Sequence, residues 1–145
     1  MLIEGPKLLT DDVRGRVSFK QHNFFEPQPP IGAAAFILRQ CTHNWCDGDV
    51  VNMFKAFIPA LEASGPDTPL LINDYILPGL GAWPRHRERE VRQMDMTMLI
   101  SCGSKDRTEA ELAALLKEAD PRYEIRSAYV HPDEPMGLLE VYLRR

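Results

Sequence analysis

The chain has 145 residues, 44% of them hydrophobic and 26% charged, enough to bury one core, and is expected to form one domain over residues 1–145. Its net charge of −4 and pI near 5.6 argue against a nucleic-acid or anionic-membrane partner, since both need a basic face. The longest apolar stretch, residues 31–38, falls far short of the roughly 20 residues that cross a bilayer, the three cysteines Cys41, Cys46 and Cys102 cannot all pair with one another, and no basic-then-apolar leader opens the sequence, so a reduced, cytoplasmic protein is expected.

Residues 16–25 alternate apolar and polar side chains at Val17, Phe19 and Gln21, which predicts a strand. Glu26-Pro-Gln-Pro-Pro30 then stops any ladder, because proline lacks the donor. Residues 33–38 form a short all-apolar run, the pattern of a strand buried on both faces. That run leads into Phe36-Ile-Leu-Arg-Gln-Cys-Thr-His-Asn-Trp45, where a polar pair stands directly after the strand. Open parallel sheets bind ligands in the crevice outside the carboxyl ends of their strands, so His43 is aimed at whatever occupies that crevice. Asp47 is the expected N-cap of the next helix, in which Val50, Val51, Phe54, Phe57, Ile58 and Leu61 share one face and which should stop near Ser64-Gly65-Pro66.

Leu-Leu-Ile-Asn-Asp-Tyr-Ile-Leu over residues 70–77 repeats the pattern, ending in Asn73 and Asp74 before Pro78-Gly-Leu-Gly81 breaks the chain. Two strands therefore deliver polar groups to one rim. Residues 87–100 carry Val91, Met94 and Met98 on one helical face and arginines on the other, and the basic run 85–92 reads as a solvated helix face. Thr108-Glu-Ala-Glu111 is a capping box, followed by the buried stripe Leu112, Leu115, Leu116 and Ala119. Residues 123–131 and 138–143, separated by Pro132-Asp-Glu-Pro135, predict a closing antiparallel strand pair.

The order of strand, His-x-Trp, helix, Leu-Leu-Ile-Asn-Asp-Tyr-Ile-Leu-Pro78, Met-Asp-Met-Thr-Met-Leu99 and Lys-Asp-Arg-Thr108 resembles the carboxyl-terminal catalytic half of S-adenosylmethionine-dependent O-methyltransferases, the caffeate type and its fungal secondary-metabolite relatives, from about Pro6 to Arg145. The resemblance implies an α/β fold: a truncated Rossmann-like class I methyltransferase sheet whose first two strands are missing, with flanking helices and a C-terminal antiparallel pair. It implies methyl transfer to a hydroxyl of a small aromatic metabolite, with His43 as general base and Asp74 and Asp106 as the acidic residues flanking it. S-adenosylmethionine is the implied cofactor, bordered by Asn23, Phe24 and Arg39, with Asn44 and Met98 at substrate positions. Asn23 and Asn44 stand where the family carries aspartate, and an amide does not accept as a carboxylate does. The family's glycine-rich cofactor turn is not found in these residues.

The same truncation leaves residues 33–38 as an apolar sheet edge without an internal lysine or proline, a template for pairing. Rearranged residues 1–30, a second copy of the chain in a homo-oligomer, or a partner chain is expected to cover it. Each site residue also has a plainer reading. His43 could satisfy a buried carbonyl, Asp74 a strand-end turn, Asp106 the cap of the Thr108 helix, and the methionines could be core filler. Cys41, His43 and Cys46 lack a fourth ligand at zinc spacing, so no metal is expected. Two further function classes stay open: a cofactor-independent relative in which His43 is an acid or hydrogen-bond donor in a cyclisation or pericyclic step, and a non-catalytic partner subunit.

Overall fold

The computed structural model describes residues 4–134 and 136–144. Two single-turn helices, α1 (Gly5–Leu8) and α2 (Asp11–Arg14), precede a long irregular segment. Residues 16–25 are not a strand: Val17 and Phe19 stay exposed and the chain turns at residues 24–26. Alternation alone makes no strand without a neighbouring strand to bond and a surface to bury against.

The main sheet has the order β1-β2-β6-β5. β1 (Phe36–Arg39) runs parallel to β2 (Leu70–Asp74), in register from Phe36 opposite Leu70 to Arg39 opposite Asn73. β2 pairs antiparallel with β6 (Gly137–Leu143), and β6 with β5 (Tyr123–Tyr129), which completes the expected C-terminal pair. Leu38, Leu70, Ile72, Leu139 and Val141 face one side and enter a single core with α3 (Asp47–Ser64) and α5 (Glu109–Ala119). The α5 start carries the expected capping box, in which the Thr108 hydroxyl accepts from the Glu111 amide and the Glu111 carboxylate accepts from the Thr108 amide.

β1 departs from expectation in two ways. It begins at Phe36, and only Leu38 is buried in it, because Ile37, pointing away from the core, is 66% exposed. A strand with one neighbour and helices over one face cannot be buried on both faces. Among the described residues no strand pairs with its outer edge, and residues 4–30 contribute none.

The stretch 70–77 is broken at Tyr75. Ile76–Leu77 leaves the main sheet as β3 and pairs in parallel with β4 (Arg107–Thr108), so the rim after β2 is tied to the segment that carries Asp106. Between them α4 (Arg85–Cys102) is longer than predicted and ends at left-handed Gly103, whose N–H donates to Leu99. Val91 is its single buried residue, and its arginines pair with Glu88, Glu90 and Asp133 as a solvated face does. No helix among the described residues is long and apolar enough to cross a membrane.

Candidate active site

Past β1 the backbone turns through Gln40, in the left-handed region at φ 48°, into a 3₁₀ turn, Thr42–Asn44. The turn places His43 beside the end of the adjacent strand, where Asp74 is buried. His43 Nδ1 lies 2.9 Å from Asp74 Oδ1 and 3.4 Å from Asp106 Oδ1. Its N–H direction makes a well-aligned hydrogen bond with neither, so the nitrogen sits between the two carboxyl groups. The three residues that the resemblance named thus meet at one point, from three separate segments.

Their environments differ. Asp74 Oδ2 accepts from the Thr42 amide at 2.9 Å and the Thr42 hydroxyl at 2.7 Å, and Oδ1 accepts from the Tyr75 amide at 3.0 Å. Asp106 is buried, and among the described residues neither of its carboxylate oxygens has a hydrogen-bond donor, while its backbone N–H donates to Asp95 Oδ1 at 2.9 Å. Contacts with Asp106 and Asp74 push the His43 imidazole up to about 9 against the opposing effect of burial. Burial pushes the Asp74 carboxyl up, but His43, Thr42 and Tyr75 outweigh it and leave the group below its usual value. For Asp106 burial wins and the carboxyl is raised.

Four neighbours had no warning in the sequence. Tyr75 stacks on the His43 ring with centroids 5.8 Å apart. Thr42 holds Asp74, and Asp95 holds the Asp106 backbone. Arg107 is buried and donates to Asp47 Oδ1 through Nε and Nη2, to the carbonyl of Thr42 at 2.8 Å and to that of Trp45 at 2.8 Å. This corrects the expected role of Asp47: Cys46 is the N-cap, and the aspartate side chain turns instead to Arg107. Two hydrogen bonds from a buried guanidinium, both partners charged, outweigh a cap whose donors are neutral backbone amides.

The other predicted positions lie apart from this cluster. Asn44 is exposed and its amide donates to the Gln40 carbonyl, closing its own turn. Met98 is half-buried on α4. It is Met94 that joins Tyr75, Val91 and Pro132 in lining a cavity of about 360 Å³, with Arg87 and Asp133 at its edge. Asn23 is committed to a local turn, accepting from the Phe25 amide and donating to Glu26, and Phe24 packs edge-on against Trp45 at 5.6 Å. Arg39 is exposed at the end of β1. These three offer no shared cradle of unengaged groups, so they do not by themselves fit a nucleoside cofactor.

The family profile for the O-methyltransferase domain matches residues 2–121. The O-methyltransferase sol2 of Alternaria solani is 58% identical over 143 residues, covering 99% of this chain and 33% of that protein. The chain therefore spans about a third of the length of such relatives. Among solved structures, the O-methyltransferase NcsB1 from neocarzinostatin biosynthesis, in complex with S-adenosylmethionine and 2-hydroxy-5-methyl naphthoic acid, is 26% identical, with a TM-score of 0.69 over 91% of this chain and 35% of its own. A pericyclic reaction enzyme is 22% identical with a TM-score of 0.70, over 86% of this chain and 29% of its own, a likeness of fold alone.

Proposed function

The chain belongs to the O-methyltransferase domain family, and from that membership we propose that it is the proton-accepting part of an O-methyltransferase acting on a small aromatic hydroxyl compound. The carrying observation is one imidazole just past the end of β1, held against two buried carboxylates, Asp74 at the end of the parallel strand β2 and Asp106 immediately before β4. With Nδ1 facing Asp74 and Asp106, Nε2 is the nitrogen available to an incoming hydroxyl. S-adenosylmethionine, when bound, supplies a methyl group on a positively charged sulfur. His43 takes the proton as the acceptor oxygen is methylated, and Asp74 balances the imidazolium that results. The naphthoic acid held by NcsB1 supports an aromatic acceptor, and the cavity of about 360 Å³ lined by Tyr75, Val91, Met94 and Pro132 has room for a small ring system.

Asn23, Phe24 and Arg39 would border the methyl donor without holding it by themselves, and in a polypeptide of the relatives' length further residues would complete its seat. Such residues would also pair with the outer edge of β1 and cover Ile37, since an apolar edge invites a strand. Transfer of labelled methyl from S-adenosylmethionine to phenols, by a polypeptide of that length containing this segment, tests the proposal. Label on the phenolic oxygen is the expected result. Bound cofactor with no transfer to any phenol overturns it.

A second reading is favoured by one observation: with its imidazole pushed up to about 9, His43 is protonated at neutral pH. A charged N–H suits a donor in a cofactor-independent cyclisation or pericyclic step as well as it suits a resting base. The two roles require opposite protonation states of one residue, so pH separates them.

A further inference from the structure

Two buried carboxyl groups flank one imidazole, and donors are distributed very unequally between them. Asp74 receives three hydrogen bonds, two of them from Thr42; among the described residues Asp106 receives none on either oxygen. An ionised carboxylate without donors in a dry site is far more costly than a neutral carboxyl, so the charge belongs on the group with the donors. We propose that Thr42 is a positioning residue that makes Asp74 the first of the two carboxyls to ionise and leaves Asp106 the more weakly acidic partner. The hydroxyl is what matters beyond the backbone, because it gives Asp74 Oδ2 a second donor at 2.7 Å beside the amide at 2.9 Å. Arg107 holds the Thr42 carbonyl and so fixes the turn that aims the hydroxyl.

The charged and titratable groups around the pair all belong in this balance. Asp74 faces His43 and Cys41, whose thiol is raised by burial and then by the Asp74 charge. Asp106 faces His43, Asp74 and Asp95, and the two aspartates both disfavour a further negative charge. The opposite displacement of the two carboxyls agrees with the donor count. The consequence for chemistry is directional. A charge on Asp74, 2.9 Å from Nδ1, keeps the proton of a neutral His43 on Nδ1 and so keeps Nε2 as the accepting atom. That consequence rests on the proposed methyl transfer, but the division of charge does not, and its test needs no turnover.

Carbon-13 NMR titration of the aspartate carboxyls, in the wild-type chain and in Thr42→Val and Thr42→Ser, reads the division directly, with Asp74→Asn assigning the signals. In the wild type Asp74 ionises first on raising the pH and Asp106 stays protonated longer. Thr42→Val keeps the shape and the amide but removes the hydroxyl donor, and it moves the Asp74 titration upward by about one pH unit. Thr42→Ser restores it. The proposal is overturned if Asp106 ionises before Asp74 in the wild type, a result that needs no variant to fold. It is equally overturned if a folded Thr42→Val leaves Asp74 unmoved, or if Thr42→Ser shifts as far as Thr42→Val.

Discussion

On the proposed mechanism, replacing His43 by Ala lowers methyl transfer by about 10²- to 10⁴-fold, the usual contribution of a positioned general base. The loss is expected on kcat, because in that mechanism the imidazole acts as the proton leaves the acceptor rather than in holding the acceptor in place. The same variant has a stability signature of known sign. The folded imidazole is raised from 6.5 to about 9, so its contribution to stability is fully present below about 6.5 and is lost as pH rises through about 9. Thermal melting of His43→Ala therefore lies furthest below wild type in mildly acidic buffer and approaches it above pH 9. The three other donors to Asp74 keep that carboxylate satisfied, so the variant folds. Undiminished kcat in a folded His43→Ala protein would remove His43 from the chemistry.

Arg107→Met is the largest stability effect expected in the chain. The guanidinium is 2% exposed and joins Asp47 at the start of α3 to the carbonyls of Thr42 and Trp45 and to that of Lys105. Methionine fills much of the volume and none of the hydrogen bonds. Breaking one partner out of a buried charged network costs about 3–5 kcal/mol, which lowers the melting temperature of a domain this size by roughly 10 °C or more. Asp47 is half-exposed and can turn to water or Lys105, so most of the loss comes from the stranded carbonyls. Arg107→Lys recovers little, because one ammonium cannot reach acceptors arranged around a planar fork. Differential scanning calorimetry checks both variants, and a melting temperature within a few degrees of wild type would show that the network is not the clamp described here.

The parts of the fold that sequence made legible are those set by local chemistry. Thr108 and Glu111 form a capping box with no help from the rest of the chain, and α3 follows from one apolar face ending at Gly65. The meeting of His43, Asp74 and Asp106 was legible only as an order of motifs, since no local rule brings residues 31 and 32 positions apart to one point. What stayed hidden depends on partners distant in sequence. Val17 and Phe19 alternate like a strand but have no neighbouring strand to join. Asp47 looks like a cap until Arg107, sixty residues later, takes its carboxylate. Tyr75 sits within a stretch, residues 70–77, that reads as one strand pattern, yet the chain changes sheets there. Thr42 resembles any polar residue at a strand end, and its role exists only because Asp74 is buried beside it.

The most direct measurement is the pH dependence of single-turnover methyl transfer by a polypeptide of the relatives' length containing this segment. A base must be neutral to accept a proton, and at pH 7 an imidazole that titrates near 9 is neutral only about one time in a hundred. The rate is therefore predicted to rise about tenfold per pH unit and to level off near pH 9, with the rise abolished in His43→Ala. A rate that is flat through neutral pH and falls above about 9 would contradict this account and identify the protonated His43 as the working form.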